Sequence, residues 1–362
     1  MNKSIKDIRG LPLIEALSLE FGPSGCEDRV RELIRTAAEP LADKTVVDRM
    51  GNLICKMSFG RAEQRTKIMI SAHMDEVGFM VDGIRSDGML TFGTVGGIDP
   101  SVLAGRKVTL EGKDGLIKGV ICSKAIHHKD KEEREKVTKA DKLYIDLGVS
   151  DKDAAEALVG IGSFATFDSE LYTFGKDNGY VKSKALDDRM GCAAMLEIMQ
   201  SFKAEPPIAD VDIYFCFTVR EEIGYSGADA AARLIAPDLS IVLETTAISD
   251  RPDTEPHRRV ADVGGGAAIS VADRATIYDR DTVDFALELG KSLGIAAQSK
   301  RYVSGGNDAG HIHKALGGIR VLAVSVPTRY LHSPACVACI KDYEAVRDLA
   351  AAIIKTYKRR EI

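Results

Sequence analysis

The stretch "TKIMISAHMD", residues 66–75, decides how the rest of the chain is read. Ile68, Met69, Ile70 and Ala72 make it too apolar and too rich in β-formers for the start of a helix, so it reads as a buried strand. The strand leaves the core at His73, and Asp75 follows two residues later. That pair could be ordinary polarity at a strand end. It could also be a metal ligand with the carboxylate that aims it, and the segments around the strand must separate the two readings.

Upstream, "LPLIEALSLEF" (11–21) carries apolar residues at helical spacing, and "GPSGCEDRVRELIRTAAEPL" (22–41) reads as a turn followed by a second helix. "KTVVDRMGNLICKM" (44–57) alternates as a hairpin that turns at Met50-Gly51-Asn52. From Val77 to Phe174 the chain is β-rich and punctuated by glycine, with one short helical candidate at "SDKDAAEALV" (150–159). The charged "HHKDKEEREKVTKADK" (127–142) reads as a solvated or mobile loop.

After Asp187, helix and strand alternate. "DDRMGCAAMLEIMQSF", "GADAAARLI", "DTVDFALELGKSLG" and "DYEAVRDLAAAIIKTYK" are helical. "VDIYFCFTV", "LSIVLET" and "IRVLAVSV" are strands between them. Such alternation predicts an α/β fold with a mostly parallel sheet covered by helices. The β-rich block is then a small domain inserted at 77–174, which splits an α/β domain into 1–76 and 175–362.

Composition narrows the function. With 45% hydrophobic and 28% charged residues the chain is globular. A net charge of −5 without a basic stripe argues against nucleic acid as a partner. No apolar run approaches the ~18 residues of a membrane span. "MNKSIKDIRGLPL" holds no leader core, and seven cysteines without framework spacing suit a reducing compartment, so a cytoplasmic protein is expected.

Ligands of open α/β sheets gather beyond the carboxyl ends of the strands. His73 and Asp75, Glu221 and Glu222 after "YFCFTVR", Glu244 in "SIVLE" and His332 beyond "VLAVSVPTRY" all fall at such ends. Asp187 and Asp188 open a helix, where a pair of N-capping carboxylates is the simplest reading. Imidazoles with carboxylates suit zinc, cobalt or manganese, and a shared carboxylate can hold two ions. One of the adjacent Glu221 and Glu222 could ligate while the other takes a proton from water. Cys336-x-x-Cys339 has no second Cys pair or matching His pair and is not read as a metal or redox site, His127 and His128 read as loop surface or subunit contact, and His311 and His313 could support the site from behind its ligands or be simply structural.

"SAHMDEVGF", "KALDDRMG", "TVREEIGYSGA", "ETTAISD", "SGGNDAGHIH" and "PTRYLHSP" occur in the order seen in the TET-type deblocking, or glutamyl, aminopeptidases, which the chain resembles over almost its whole length. The resemblance implies a zinc-peptidase-like fold with two divalent ions, Zn2+ or Co2+ and alternatively Mn2+. His73, Asp187, Glu222, Glu244 and His332 would be the ligands, with Asp187 bridging. Glu221 would be the general base, and Asp75 would orient His73. Many members carry Asp where this chain has Glu244, which makes Asp250 a substitute to test. The implied activity is removal of N-terminal residues from short peptides; hydrolysis of acylated amino acids or small amides is the alternative. The inserted domain would drive assembly into a homo-oligomer built from dimers, up to a tetrahedral dodecamer. The Gly-rich "VGGGAAISVAD" (263–273) and "VSGGNDAGHIH" (303–313) could line the specificity pocket.

Overall fold

The computed structural model describes residues 4–250 and 252–357; the remaining positions, including Lys358 at the end of the last helical stretch, lie outside the described residues. β1 (Lys44–Val47), β2 (Leu53–Phe59) and β3 (Thr66–His73) enter a large sheet. β4 (Gly78–Ile84), β5 (Leu90–Val95), β6 (Lys107–Gly112), β7 (Gly115–Cys122), β8 (Tyr144–Asp146) and β9 (Phe164–Phe167) close into a barrel. β10 (Tyr172–Phe174), β11 (Tyr180–Ser183), β12 (Val211–Thr218), β13 (Leu239–Ala247), β14 (Ala267–Ile269), β15 (Ala297–Ser299), β16 (Arg320–Arg329) and β17 (Cys336–Cys339) complete the sheet.

The sheet order is β1-β2-β12-β3-β13-β16-β17-β11-β10, with β14 and β15 branching from β16. The expectation of a mostly parallel sheet is corrected here, because the sheet is mixed. β12, β3, β13 and β16 form a parallel centre. β2 and β1 on one side, and β17, β11 and β10 on the other, pair antiparallel. Part of the reason lies in the connections: parallel neighbours need long crossovers, whereas β1–β2, β10–β11 and β16–β17 are each joined by a short connection that reverses direction.

The centre is apolar because it is covered on both faces. The helix Leu186–Ala204 is buried almost all round, as expected of a helix with no polar face. It packs on β3 and β13 and against the helices Leu11–Leu19 and Ile340–Thr356.

The barrel has its own core around Phe79, Leu110, Ile145 and Phe167, with the Phe79 ring edge-on to Phe92 and Phe167 at 5.2 Å. Gly78 begins it where a Cβ would stand 2.5 Å from the Ala165 carbonyl oxygen, so no side chain fits there. Glu76 ties the barrel's root to the sheet by accepting from Thr166 Oγ1 of β9 (2.7 Å) and from Lys184 Nζ (2.6 Å). β10 falls inside the sequence-defined insertion but pairs with β11 in the large sheet. The charged run 127–142 includes a short exposed helix, Lys131–Glu135, closed by a capping box of Asp130 and Glu133.

Candidate metal centre

Strand register brings distant residues to one place. β12 lies beside β3 with Thr218 opposite His73, so the chain leaving β12 carries Glu221 and Glu222 over the end of β3. On the other side of β3, Val242 pairs with Ser71, and two residues further come Glu244 and His73. Asp187 arrives from the helix start after Ala185, and His332 from the turn after β16. Ala185, Arg220, Tyr225, Tyr330 and His332 all adopt positive φ, between 49° and 60°. Left-handed backbone at non-glycine residues is unfavourable and collects where a surrounding structure imposes it, often at functional sites.

His73 Nε2 stands 3.1 Å from Asp187 Oδ1 and 3.5 Å from Glu244 Oε1. Asp187 Oδ2 is 3.5 Å from His332 Nε2, which is 3.1 Å from Glu222 Oε1. The other ring nitrogens face backbone: His73 Nδ1 meets the Asp75 carbonyl at 3.0 Å, and His332 Nδ1 meets that of Gly97 at 2.6 Å. A proton on Nδ1 donating to those carbonyls leaves each Nε2 lone pair aimed at carboxylates, an arrangement that calls for a cation between them.

Electrostatics make the same demand. Burial lowers the His73 pKa, but Glu244, Asp187 and Asp75 outweigh it and hold it well above the ordinary value. Burial likewise opposes protonation of His332, yet Asp187 and Glu222 hold its pKa at about 11. Asp187 is pushed up by burial and pulled further down by His332 and His73, ending well below the usual carboxylate range. Burial lifts Glu244 to about 8 against the pull of His73, and Glu221 and Glu222 are raised as well, chiefly by burial. Carboxylates crowded in a water-poor pocket need positive charge, from protons or from metal.

The donors fit metal. His73, Asp187 and Glu244 have ligand atoms within 4.8 Å of one another, as do Asp187, Glu222 and His332, and also His73, Glu221 and Glu222. Nitrogen and oxygen donors in that mix are those that zinc, cobalt and manganese accept.

The neighbours have separate tasks. Asp188 Oδ1 accepts from Gly191 N at 3.0 Å, so of the aspartate pair only Asp188 caps the helix. Asp250 is held by Arg329 at 2.9 and 3.0 Å, which leaves Glu244 as the carboxylate at the centre. The Asp75 carboxylate is fully buried and accepts from Ser24 Oγ (2.5 Å), Glu221 N (3.1 Å) and Glu222 N (3.2 Å). Its oxygen lies 3.6 Å from His73 Nδ1, so the ring is aimed mainly by the Asp75 backbone carbonyl.

A cleft of about 370 Å³ opens beside the centre, lined by Glu221, Glu222, Glu244 and His332 together with Tyr225, Lys300 and the Ser304–Asn307 loop. Of the two Gly-rich stretches, only "VSGGNDAGHIH" reaches it. Gly264 and Gly266 of the other donate their amides to Asp342, at 2.7 Å each. Two residues escaped the sequence reading. Asp308 is buried, its Oδ2 takes the Thr218 hydroxyl at 2.8 Å, and burial lifts its pKa to about 7. Lys300 had no motif to mark it. Cys336, Cys339, His127, His128, His311 and His313 join none of the ligand groups among the described residues.

A parallel strand centre with imidazoles and carboxylates converging beyond its carboxyl edge defines a metal-dependent hydrolase of the α/β class. The model of the M42 glutamyl aminopeptidases matches residues 51–349, and the chain belongs to that family. It is a metallo-aminopeptidase. A "Putative aminopeptidase" of Acetivibrio thermocellus is 37% identical over 92% of this chain and 94% of its own. The lysyl aminopeptidase of Pyrococcus furiosus is 30% identical over 93% and 94%. Among solved structures, a TET aminopeptidase from a marine-sediment Thaumarchaeota archaeon superposes with a TM-score of 0.91 at 32% identity, over 96% of both chains. The Pyrococcus horikoshii TET1 peptidase, which can assemble into a tetrahedron or a large octahedral shell, gives 0.83 at 31% identity, over 95% of this chain and 98% of its own.

Proposed function

We propose that the enzyme removes the N-terminal residue of short peptides at a centre of two divalent ions, zinc or cobalt, with manganese as a third candidate. The observation that carries this reading is Asp187, whose two carboxylate oxygens face two different histidines. In this reading His73, Asp187 and Glu244 hold one ion and Asp187, Glu222 and His332 the other. The ions, when bound, supply a Lewis acid for the scissile carbonyl and make a water acidic near neutral pH.

Glu221 lies outside both sets and lines the cleft. It is placed to take a proton from the attacking water and to return one to the leaving amine, and its raised pKa suits both transfers. Asp75 fixes the backbone of Glu221 and Glu222 through their amides, and so positions base and ligand together. The crowd of carboxylates favours a substrate with a free, cationic α-amine, which fits an exopeptidase.

Residues 77–174 are read as an inserted assembly domain. Leu116, Val120, Ile126, Val137 and Ile161 are exposed there, more apolar surface than an isolated barrel needs. With the TET1 relative's assembly, they support a dimer-based homo-oligomer, up to a tetrahedral dodecamer. The described residues contain no helix long and apolar enough to cross a membrane, and a cytoplasmic enzyme remains the reading.

Metal stoichiometry tests the centre. Two ions per chain after equilibration with zinc or cobalt, falling on Asp187→Asn, would support it, and a single ion unaffected by Asp187→Asn would oppose it.

A further inference from the structure

We propose that Tyr225 is a further catalytic residue, whose hydroxyl donates a hydrogen bond to the oxygen of the scissile carbonyl as negative charge gathers there. The proposal rests on the reading that water attacks that carbonyl in the cleft beside the metal centre. Tyr225 lines the cleft with Glu221, Glu222, Glu244 and His332. It also belongs to the turn that carries the base and a ligand, since its amide donates to the Glu221 carbonyl at 3.2 Å and to that of Arg220 at 3.1 Å.

The side chain is held from three directions. Its backbone is left-handed, with φ at 60°, a conformation that a bulky residue keeps only where the surrounding structure imposes it. The ring lies against that of His311, with centroids 5.1 Å apart and planes inclined at 37°. Gly306 leaves room for the hydroxyl, because a Cβ there would stand 3.1 Å from the phenol oxygen.

The hydroxyl itself has no hydrogen-bond partner among the described residues. Tyr278, by contrast, donates to Asp273 at 2.8 Å. Two longer donors of the cleft are engaged elsewhere: Lys300 Nζ with the Ser304 carbonyl at 3.0 Å, and Asn307 Nδ2 with the Tyr278 oxygen at 3.3 Å. Glu221, Glu244, Asp308 and Glu222 all act electrostatically on the Tyr225 hydroxyl, which places it among the carboxylates of the centre. Burial first, and then those charges, lift its pKa to about 12, so it remains a neutral donor near pH 7.

Attack by water forms a bond from its oxygen to the carbonyl carbon and moves the π electron pair onto the carbonyl oxygen. A donor held ready for that oxygen favours the transition state over the bound substrate. Tyr225 keeps its proton throughout. The proton of the water goes to Glu221 and from there to the leaving amine, so Glu221 moves a proton while Tyr225 stabilises charge.

The test compares the full-length, metal-restored parent with Tyr225→Phe, which removes one oxygen and keeps the ring. Anilides of Ala, Leu, Lys and Glu find the residue that the parent cleaves fastest. Two inhibitors with that side chain follow: the 1-aminoalkylphosphonate, whose tetrahedral oxygens mimic the charged intermediate, and the simple amine that has no acyl oxygen. Tyr225→Phe should keep the parent's metal content and nearly its KM, while kcat falls roughly tenfold to a hundredfold, the worth of a hydrogen bond to a charged group. The phosphonate should lose affinity by a similar factor and the amine should lose none. Tyr225→Leu gives the same readout if the Phe variant fails to fold.

Turnover within a few-fold of the parent would overturn the assignment. Equal losses for phosphonate and amine would overturn it too, making Tyr225 a residue that binds the ground state. Loss of metal from the variant would do the same, making it a support of the centre. A parent that cleaves no anilide at full metal content would instead contradict the cleft reading itself, and this assignment with it.

Discussion

His73 Nε2 and Asp187 Oδ1 stand 3.1 Å apart although 114 positions separate them in sequence. The second Asp187 oxygen faces His332 at 3.5 Å, so one carboxylate serves two imidazoles. The consequences of that sharing can be measured with and without metal.

Replacing Asp187 by Asn should weaken binding of both ions, because both proposed sets use it. It should also destabilise the metal-free chain, since the carboxylate stabilises the buried His73 and the half-buried His332 in their charged form. Loss of one partner from a buried charged contact costs about 3–5 kcal/mol. Thermal midpoints with and without chelator, beside bound-metal analysis, read both effects.

Glu244→Gln should act with opposite sign in the metal-free enzyme. Burial makes its charged form unfavourable, lifting its pKa to about 8, so at pH 8 the neutral amide removes a liability. The midpoint should rise by roughly 1–2 °C per kcal/mol gained, as the unfolding entropy of a chain this long implies. In zinc the same variant should lose affinity and be less stabilised than the parent.

The pH dependence of the metal-free protein follows from the raised groups. Glu244 at about 8 and Asp308 at about 7 bind protons more tightly folded than unfolded, so stability falls as pH rises from about 4 towards 8. His332, at about 11, adds stability that is complete below its unfolded pKa near 6.5 and lost as pH climbs through 11. The depressed Asp75 and Asp187 act in the other sense, adding stability that is lost only as pH falls below about 4. Melting curves from pH 5 to 9 after chelation should therefore slope downward, and saturating metal should flatten the slope by displacing those protons.

Asp75→Asn should lower kcat more than it raises KM, because its contacts fix Glu221 and Glu222 rather than the substrate. The buried amide keeps one acceptor but brings an unmatched donor, a penalty of about 1–3 kcal/mol. Steady-state kinetics and a denaturant midpoint check the two parts.

Much of this is legible in the sequence. "IMISAH" and "SIVLE" announced buried strands with ligand-type residues at their ends, because a strand covered on both faces has to be continuously apolar. Strand direction was less legible: hairpin turns and crossovers look alike until pairing is known, and the outer strands proved antiparallel. The bond from His332 Nδ1 to the Gly97 carbonyl spans 235 positions and uses a backbone acceptor, which no side-chain pattern can reveal. Asp308 and Lys300 sit in or beside a loop whose spacing carries no period, so only the fold singles them out, Lys300 by the cleft it lines and Asp308 by its burial against Thr218.

The most direct test of the account is Glu221→Gln, with metal content and turnover measured on one preparation. Free-amine aminoacyl anilides and their N-acetylated counterparts are the substrates. The account predicts that two ions stay bound, that kcat on free amines falls by roughly 10²–10⁴, and that acetylated substrates are inert throughout. Turnover within a few-fold of the parent at full metal content, or cleavage of the acetylated substrates, would contradict it.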